Sequence, residues 1–220
     1  GEKTEFDPDY EQAVRDFALA LLDDREFTEA LEAFVKPLVS PGRLNSLAQT
    51  LIKCTAPGVP DIYQGTELWN LSLVDPDNRR PVDFEQRRGL LAELDVLSPA
   101  EILARADTGL PKLWVLREAL ALRRRRSEAF AADSSYDPIT AHGARAGHAV
   151  AYLRGGQVLT VVPRLVLGLA GDWRDTVLPL PAGRWRNRLS GELLEAGPIR
   201  MADLLAPFPV ALLEQIEAPQ

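Results

Sequence analysis

The densest run of chemistry-bearing side chains lies between Asp61 and Asp83, in the stretch DIYQGTELWNLSLVDPDNRRPVD. It carries the carboxylates Asp61, Glu67, Asp75, Asp77 and Asp83, the adjacent Arg79 and Arg80, the amides Gln64 and Asn78, and the aromatics Tyr63 and Trp69. Sugar hydroxyls need partners that can both donate and accept, and the C–H faces of a pyranose pack on aromatic rings. These are the materials of a carbohydrate subsite. A plainer reading stands beside it: Asp75, Asp77, Arg79 and Arg80 hold a loop together through Asx turns and ion pairs. Composition leaves both open.

The elements around the block must position it. Asp7-Pro8 opens a helix in N-cap and first-turn positions, and Tyr10, Val14, Phe17 and Leu21 recur at helical spacing. Leu31, Phe34, Val35 and Leu38 form a second apolar stripe, and Ser40-Pro41 is expected to end that helix and start a third bearing Leu44, Leu47, Leu51 and Ile52. All are read as core faces. A buried strand is expected at 59–63, followed by a long loop to Val82, and loops of that length are often functional. Asp83 and Gln86, then Ser98-Pro99-Ala100-Glu101, mark two further helix starts, and Pro111 begins a helix carrying Leu113, Leu116 and Leu120. Its closing run Arg123–Arg126 suits the negative end of the helix dipole. From about residue 131 the period shifts to that of strands: a hairpin over 148–162 turning at Gly155-Gly156, then strands near 175–180, 184–188, 192–196 and 208–214.

A net charge of −7 and a pI near 5.0 argue against a nucleic-acid partner. No apolar run is long enough to span a membrane. One cysteine, Cys54, excludes an internal disulfide framework, fits a reducing, cytoplasmic setting, and reads as an inert buried thiol. With two histidines and no ligand-spaced pair, neither a metal nor a cofactor is expected. The chain opens at Gly1 rather than at methionine and reaches a helix almost at once, which suggests a processed chain or a piece of something longer.

The string APGVPDIYQGTELWNLSLVDPDNRRPVDF resembles the strand-eight region of the maltooligosyltrehalose synthase family, within the α-amylase superfamily. The part up to Glu67 is similar to the superfamily at large; the extension through Leu73-Val74-Asp75-Pro76-Asp77-Asn78-Arg79-Arg80-Pro81-Val82-Asp83 is more specific. Asn70 and Phe84 depart from the aspartate and tyrosine expected there. The closing segments 202–205 and 208–213 also resemble that family's C-terminal β domain. The resemblance implies an α+β chain: residues 1–130 as the end of a (β/α)8 barrel with its last strand, and 131–220 as an antiparallel β-sandwich-like domain. It implies an intramolecular transglycosylase acting on malto-oligosaccharides, turning the reducing-end α-1,4 bond into an α,α-1,1 bond. The family's nucleophile, proton donor and third acid sit on strands four, five and seven, and none maps onto this sequence.

The resemblance therefore makes Tyr63, Gln64, Glu67, Asp77, Asn78, Arg79 and Arg80 substrate-binding or supporting residues, with no catalytic residue in the chain and Asp61 anchoring the strand end. The 220 residues alone are expected to be inactive and to need the missing N-terminal barrel portion as partner. Two alternatives are a non-catalytic glucan-binding or assembly module, with Trp173 and Trp185 as its stacking surface, and an α-glucan hydrolase. Both tryptophans also read as core aromatics.

Overall fold

Asp7 starts helix α1 (Pro8–Asp23) by accepting hydrogen bonds from the backbone N–H groups of Asp9 and Tyr10 at 3.1 and 3.2 Å, donors that a helix end otherwise leaves unpaired. The computed structural model describes residues 7–73 and 79–217. It divides into two compact units, one up to Gly42 and one from Arg43 onward. In the first, the amphipathic stripes form as helix faces, but they are not core: α1 buries none of its residues, and Tyr10, Phe17, Phe34 and Leu38 stand exposed. Helical spacing fixes where a face points, not whether anything covers it.

The expected break at Ser40-Pro41 is absent. Helix α2 runs from Arg25 to Thr55 with Pro37 and Pro41 inside it. Proline's fixed φ is compatible with a helix, although each ring removes one backbone donor and crowds the carbonyl four residues back. In the second unit the end of α2 buries Leu47, Ala48, Leu51 and Cys54. Cys54 has no exposed surface, and burial pushes its thiol pKa up against the opposing charges of Lys53 and Arg123. The remaining long elements are α3 (Phe84–Glu93), α4 (Pro99–Ala104) and α5 (Leu110–Arg125). Asp83 caps α3 by accepting from the Gln86 N–H, and Ser98 with Glu101 forms the anticipated reciprocal capping box on α4. Along α5, Leu113 and Leu116 are buried, while Leu120 remains partly exposed.

Six strands follow: β1 (Tyr136–Pro138), β2 (Ala149–Arg154), β3 (Val158–Pro163), β4 (Val177–Asn187), β5 (Leu193–Arg200) and β6 (Ala211–Glu217). They form one antiparallel sheet in the order β1-β2-β3-β6-β4-β5. The β2–β3 hairpin turns at Gly155-Gly156, with φ of 53° and 67°, the left-handed pair that a tight hairpin turn demands. A Cβ on Gly155 would lie 2.8 Å from the Ala129 Cα, so space as well as backbone requires glycine. The two short strands expected at 175–188 are one long β4, whose register slips between Leu180 and Arg184 around Pro181 and Gly183.

The sandwich expectation is corrected here. The described residues contain one sheet, and helices, not a second sheet, cover one of its faces. Alternation along the central strands sends Val158, Val162 and Leu212 into the core shared with α2, α4 and α5. It sends Leu159, Val161, Ala211 and Leu213 to the other face, with Trp173, Trp185 and the short helices α6 (Val166–Leu169) and α7 (Met201–Leu205). Trp185 is fully buried and Trp173 nearly so, which leaves neither free as a stacking platform.

Polar contacts tie the helical layer to the sheet. Thr55 at the end of α2 lies 2.6 Å from the Tyr152 hydroxyl and accepts from Thr160 at 2.9 Å. The arginine run does more than complement a dipole: Arg125 and Arg126 at the end of α5 grip the buried Glu214 of β6, and Arg123 donates to the carbonyls of Cys54 and Gly58. Arg124 is exposed. The expected strand at 59–63 is not formed; residues 59–63 carry no ladder partner. A parallel strand needs neighbours on its flanks, and none lies beside it among the described residues.

Candidate functional site

The block from Asp61 begins as extended chain and then turns, with Thr66 donating both its backbone N–H and its hydroxyl to the Tyr63 carbonyl at 3.1 and 2.6 Å. Beyond the turn two side chains pin the loop to the helices. Leu68 is buried. Trp69 donates its indole N–H to the Ala106 carbonyl at 2.6 Å, and the Arg43 guanidinium lies 5.9 Å from its ring centre. The Lys112 ammonium of α5 donates to the Leu68 carbonyl at 2.8 Å. Burial lowers the Lys112 pKa to about 8, with Lys53 adding to the shift and Glu67 opposing it.

Arg87, in the second turn of α3, closes the loop on itself. Its Nε donates to Glu67 at 2.8 Å, one terminal nitrogen to the Gly65 carbonyl at 2.8 Å, and the other to the Asp83 carbonyl at 3.0 Å. A planar guanidinium spends its fixed fork on three anchors at once, which a lysine cannot reproduce. Start and end of the loop are thereby held together, and a cleft of about 290 Å3 opens beside them, lined by Gln64, Gly65, Asn70, Ser72, Arg80, Pro81, Val82, Asp83 and Arg87.

Of the seven residues singled out from the sequence, Gln64 and Arg80 meet in this cleft. Tyr63 is 54% exposed beside it, Arg79 is exposed, and Glu67 is half-buried in its ion pair with Arg87. Asp77 and Asn78, with Asp75, lie outside the described residues. Asn70 accepts from the Ser72 N–H at 2.8 Å, an Asx turn that needs no charge. Trp69 serves as an anchor with its polar edge occupied. Sequence reading missed Arg87, Lys112 and Gly109, where the backbone packs so closely that a Cβ would lie 2.9 Å from the Leu68 Cβ; Arg87 sits four residues after the N-cap Asp83, a spacing that offered the one available signal.

The cleft can hydrogen-bond a polyhydroxylated ligand through amide, guanidinium and hydroxyl groups. Among its described lining residues Asp83 is the sole carboxylate, and one of its oxygens is committed to the α3 cap. Glycosyl transfer ordinarily needs two carboxylates flanking the bond.

No family model matches the chain. A protein of Mycobacterium tuberculosis (strain H37Rv) assigned as a maltooligosyl trehalose synthase is 41% identical over 196 residues, 89% of this chain and 24% of that protein. The solved maltooligosyltrehalose synthase of Arthrobacter ramosus superimposes with a TM-score of 0.85 at 40% identity, over 97% of this chain and 28% of that one. A point variant of the same enzyme gives 0.84 and 41%, over 98% of this chain and 28% of that one. Over nearly its whole length the chain is thus similar to a C-terminal portion of larger maltooligosyltrehalose synthases. It spans about a quarter of the length of the relatives it matches. Set against the synthase resemblance of the 56–84 string, the structure offers a loop clamped at both ends beside a polar cleft. No described helix is long and apolar enough to cross a membrane.

Proposed function

We propose that this chain is the C-terminal part of an intramolecular transglycosylase that converts the reducing-end α-1,4 bond of a malto-oligosaccharide into an α,α-1,1 bond, giving maltooligosyl trehalose. The observation that carries the reading is the shared sequence and fold with synthases over nearly the whole chain. In this reading residues 1–130 complete a (β/α)8 barrel and 131–220 form its C-terminal β domain. Barrel active sites are assembled from the C-terminal ends of several strands, so the 61–83 loop contributes one wall.

Gln64 and Arg80 hydrogen-bond sugar hydroxyls, Tyr63 offers an aromatic face, and Arg79, Asp77 and Asn78 extend the subsite. Glu67 acts through Arg87, as a positioning residue. The nucleophile and proton donor come from the remainder of the parent protein. One carboxylate forms a glycosyl-enzyme as the other protonates the departing oxygen; the released glucose then returns through its anomeric hydroxyl, so that bond count and water are unchanged.

Loss of reducing ends is the readout. With maltopentaose, the parent protein lowers reducing power without releasing glucose, whereas the isolated 220-residue chain leaves it unchanged. A rise in reducing ends would instead identify a hydrolase. Conversion by the isolated chain would refute the division of roles.

A further inference from the structure

We propose that Lys112 and Arg123 of α5 are positioning residues for saccharide binding at the 61–83 cleft, acting through backbone carbonyls at the two ends of the segment 58–68. The proposal rests on the function proposed above.

The segment lacks the support that a strand would have. Residues 59–63 have no ladder partner among the described residues, so no sheet fixes the chain that leads to Tyr63 and Gln64. A backbone carbonyl outside a ladder still needs a donor, and α5 supplies one at each end. Arg123 donates from one terminal nitrogen to the Gly58 carbonyl and from the other to the Cys54 carbonyl, the latter at 3.2 Å. Gly58 has a φ of 112°, a turn that favours glycine, and the arginine holds that turn where the segment departs. Its guanidinium is in turn placed 4.8 Å from the ring centre of the buried Phe130. Eleven residues earlier on α5, about 16 Å along the helix axis, Lys112 donates to the Leu68 carbonyl at 2.8 Å. The helix is thus a splint. Between its two attachments lie Tyr63, beside the cleft, and Gln64 and Gly65, which line it; Asn70 and Ser72, also in the lining, follow directly after Leu68 and Trp69. A displaced Leu68 carbonyl would move both stretches of the cleft wall.

Fold stability does not account for the charge on Lys112. Burial lowers its pKa to about 8, Lys53 of α2 lowers it further, and Glu67, itself paired with Arg87, opposes the shift only in part. The charged form is therefore the costlier one in this fold, and a neutral donor would suffice to occupy a carbonyl. A cation held at that cost beside a polar cleft points to a functional role. What it adds is a stronger hydrogen bond than a neutral donor makes.

The test is steady-state kinetics of the parent protein on maltopentaose, read as loss of reducing ends. Lys112→Met removes the donor and is expected to raise KM about fivefold or more, while kcat changes less than about twofold. Lys112→Arg keeps a cationic donor and should recover most of the loss. Arg123→Lys, able to reach one carbonyl instead of two, should raise KM by a smaller factor. A merely structural role would leave fewer intact molecules and lower the apparent kcat at unchanged KM; that result would overturn the proposal. A second measurement is independent of activity: in the 15N-labelled 220-residue chain, Lys112→Met should shift the Gln64 side-chain amide signal, and an unmoved signal would also overturn it. An inactive wild-type parent would instead refute the reading of the activity, and the Gln64 signal would still test the placement, so the two failures are distinguishable.

Discussion

Replacing Glu214 with glutamine tests how the helical layer is fastened to the sheet. The Glu214 side chain is 6% exposed and accepts from Arg125 at 3.2 and 3.1 Å and from Arg126 at 3.0 Å, with Arg188 at 3.8 Å. Breaking a fully buried ion pair costs about 3–5 kcal/mol. Here the partners are 44, 32 and 24% exposed, so water can take up the released arginines, and removal of the charge relieves the carboxylate's own desolvation. We expect Glu214→Gln to cost about 2 kcal/mol. Urea denaturation followed by tryptophan emission reads it, because Trp173 and Trp185 are buried in the core on the sheet's other face. The pH dependence supplies the sharper check. Burial alone would raise the Glu214 pKa, but hydrogen bonds and charge from Arg125 and Arg126 outweigh it and hold the carboxyl below the usual range. A group whose folded pKa is depressed stabilises the protein above its unfolded pKa and loses that contribution as pH falls through the folded value. The gap between wild type and variant should be full at neutral pH and should narrow below about pH 4. A difference under about 0.5 kcal/mol at pH 7, or one that does not change in acid, would refute the reasoning.

Three further outcomes follow from the loop and its supports. Arg87→Ala removes three hydrogen bonds and should speed amide exchange across the described part of 61–83 by roughly tenfold or more; unchanged exchange would mean that the loop is held by other contacts. Gly109 has a φ of 82°, and a Cβ there would lie 2.9 Å from both the Leu68 Cβ and the Trp69 nitrogen, so Gly109→Ala should cost about 1–3 kcal/mol and shift Trp69 emission; an unaltered melting temperature would contradict the close packing. Lys112 titrates at about 8 in the fold, below the ~10.4 of an unfolded lysine. The unfolded chain therefore binds more protons between those values, and stability should rise with pH there; Lys112→Met should flatten that rise in denaturation series at pH 7.5 to 9.5, and an identical slope would remove Lys112 as its source.

Local signals carried far in this chain. Asp7, Asp83 and Ser98 cap the helices they were expected to cap, because a cap needs only a short polar side chain and the next three residues. Gly155-Gly156 placed the hairpin, since few other pairs tolerate its backbone angles. The burial of Cys54, Trp173 and Trp185 was also legible. Long-range matters were not. Proline at 41 looked like a helix stop but is carried within α2. A strand was expected at 59–63 from its residue types, yet strand formation depends on a neighbour that local sequence does not supply. The sandwich became a single sheet because the near-continuous apolar run of β3 shows that both its faces are buried without saying whether helix or sheet covers them.

The candidate site divides in the same way. Residue types, with the resemblance of the 56–84 string to the synthase family, singled out the 61–83 block, of which Gln64 and Arg80 line the cleft. The fold decided which side chains serve as anchors: Trp69 turns its indole N–H to Ala106, Glu67 pairs with Arg87, and Lys112 reaches Leu68 from 44 residues away. Such roles are set by three-dimensional proximity and by which hydrogen-bonding groups burial leaves unsatisfied. A linear sequence states the donors and acceptors, but only packing decides which of them meet.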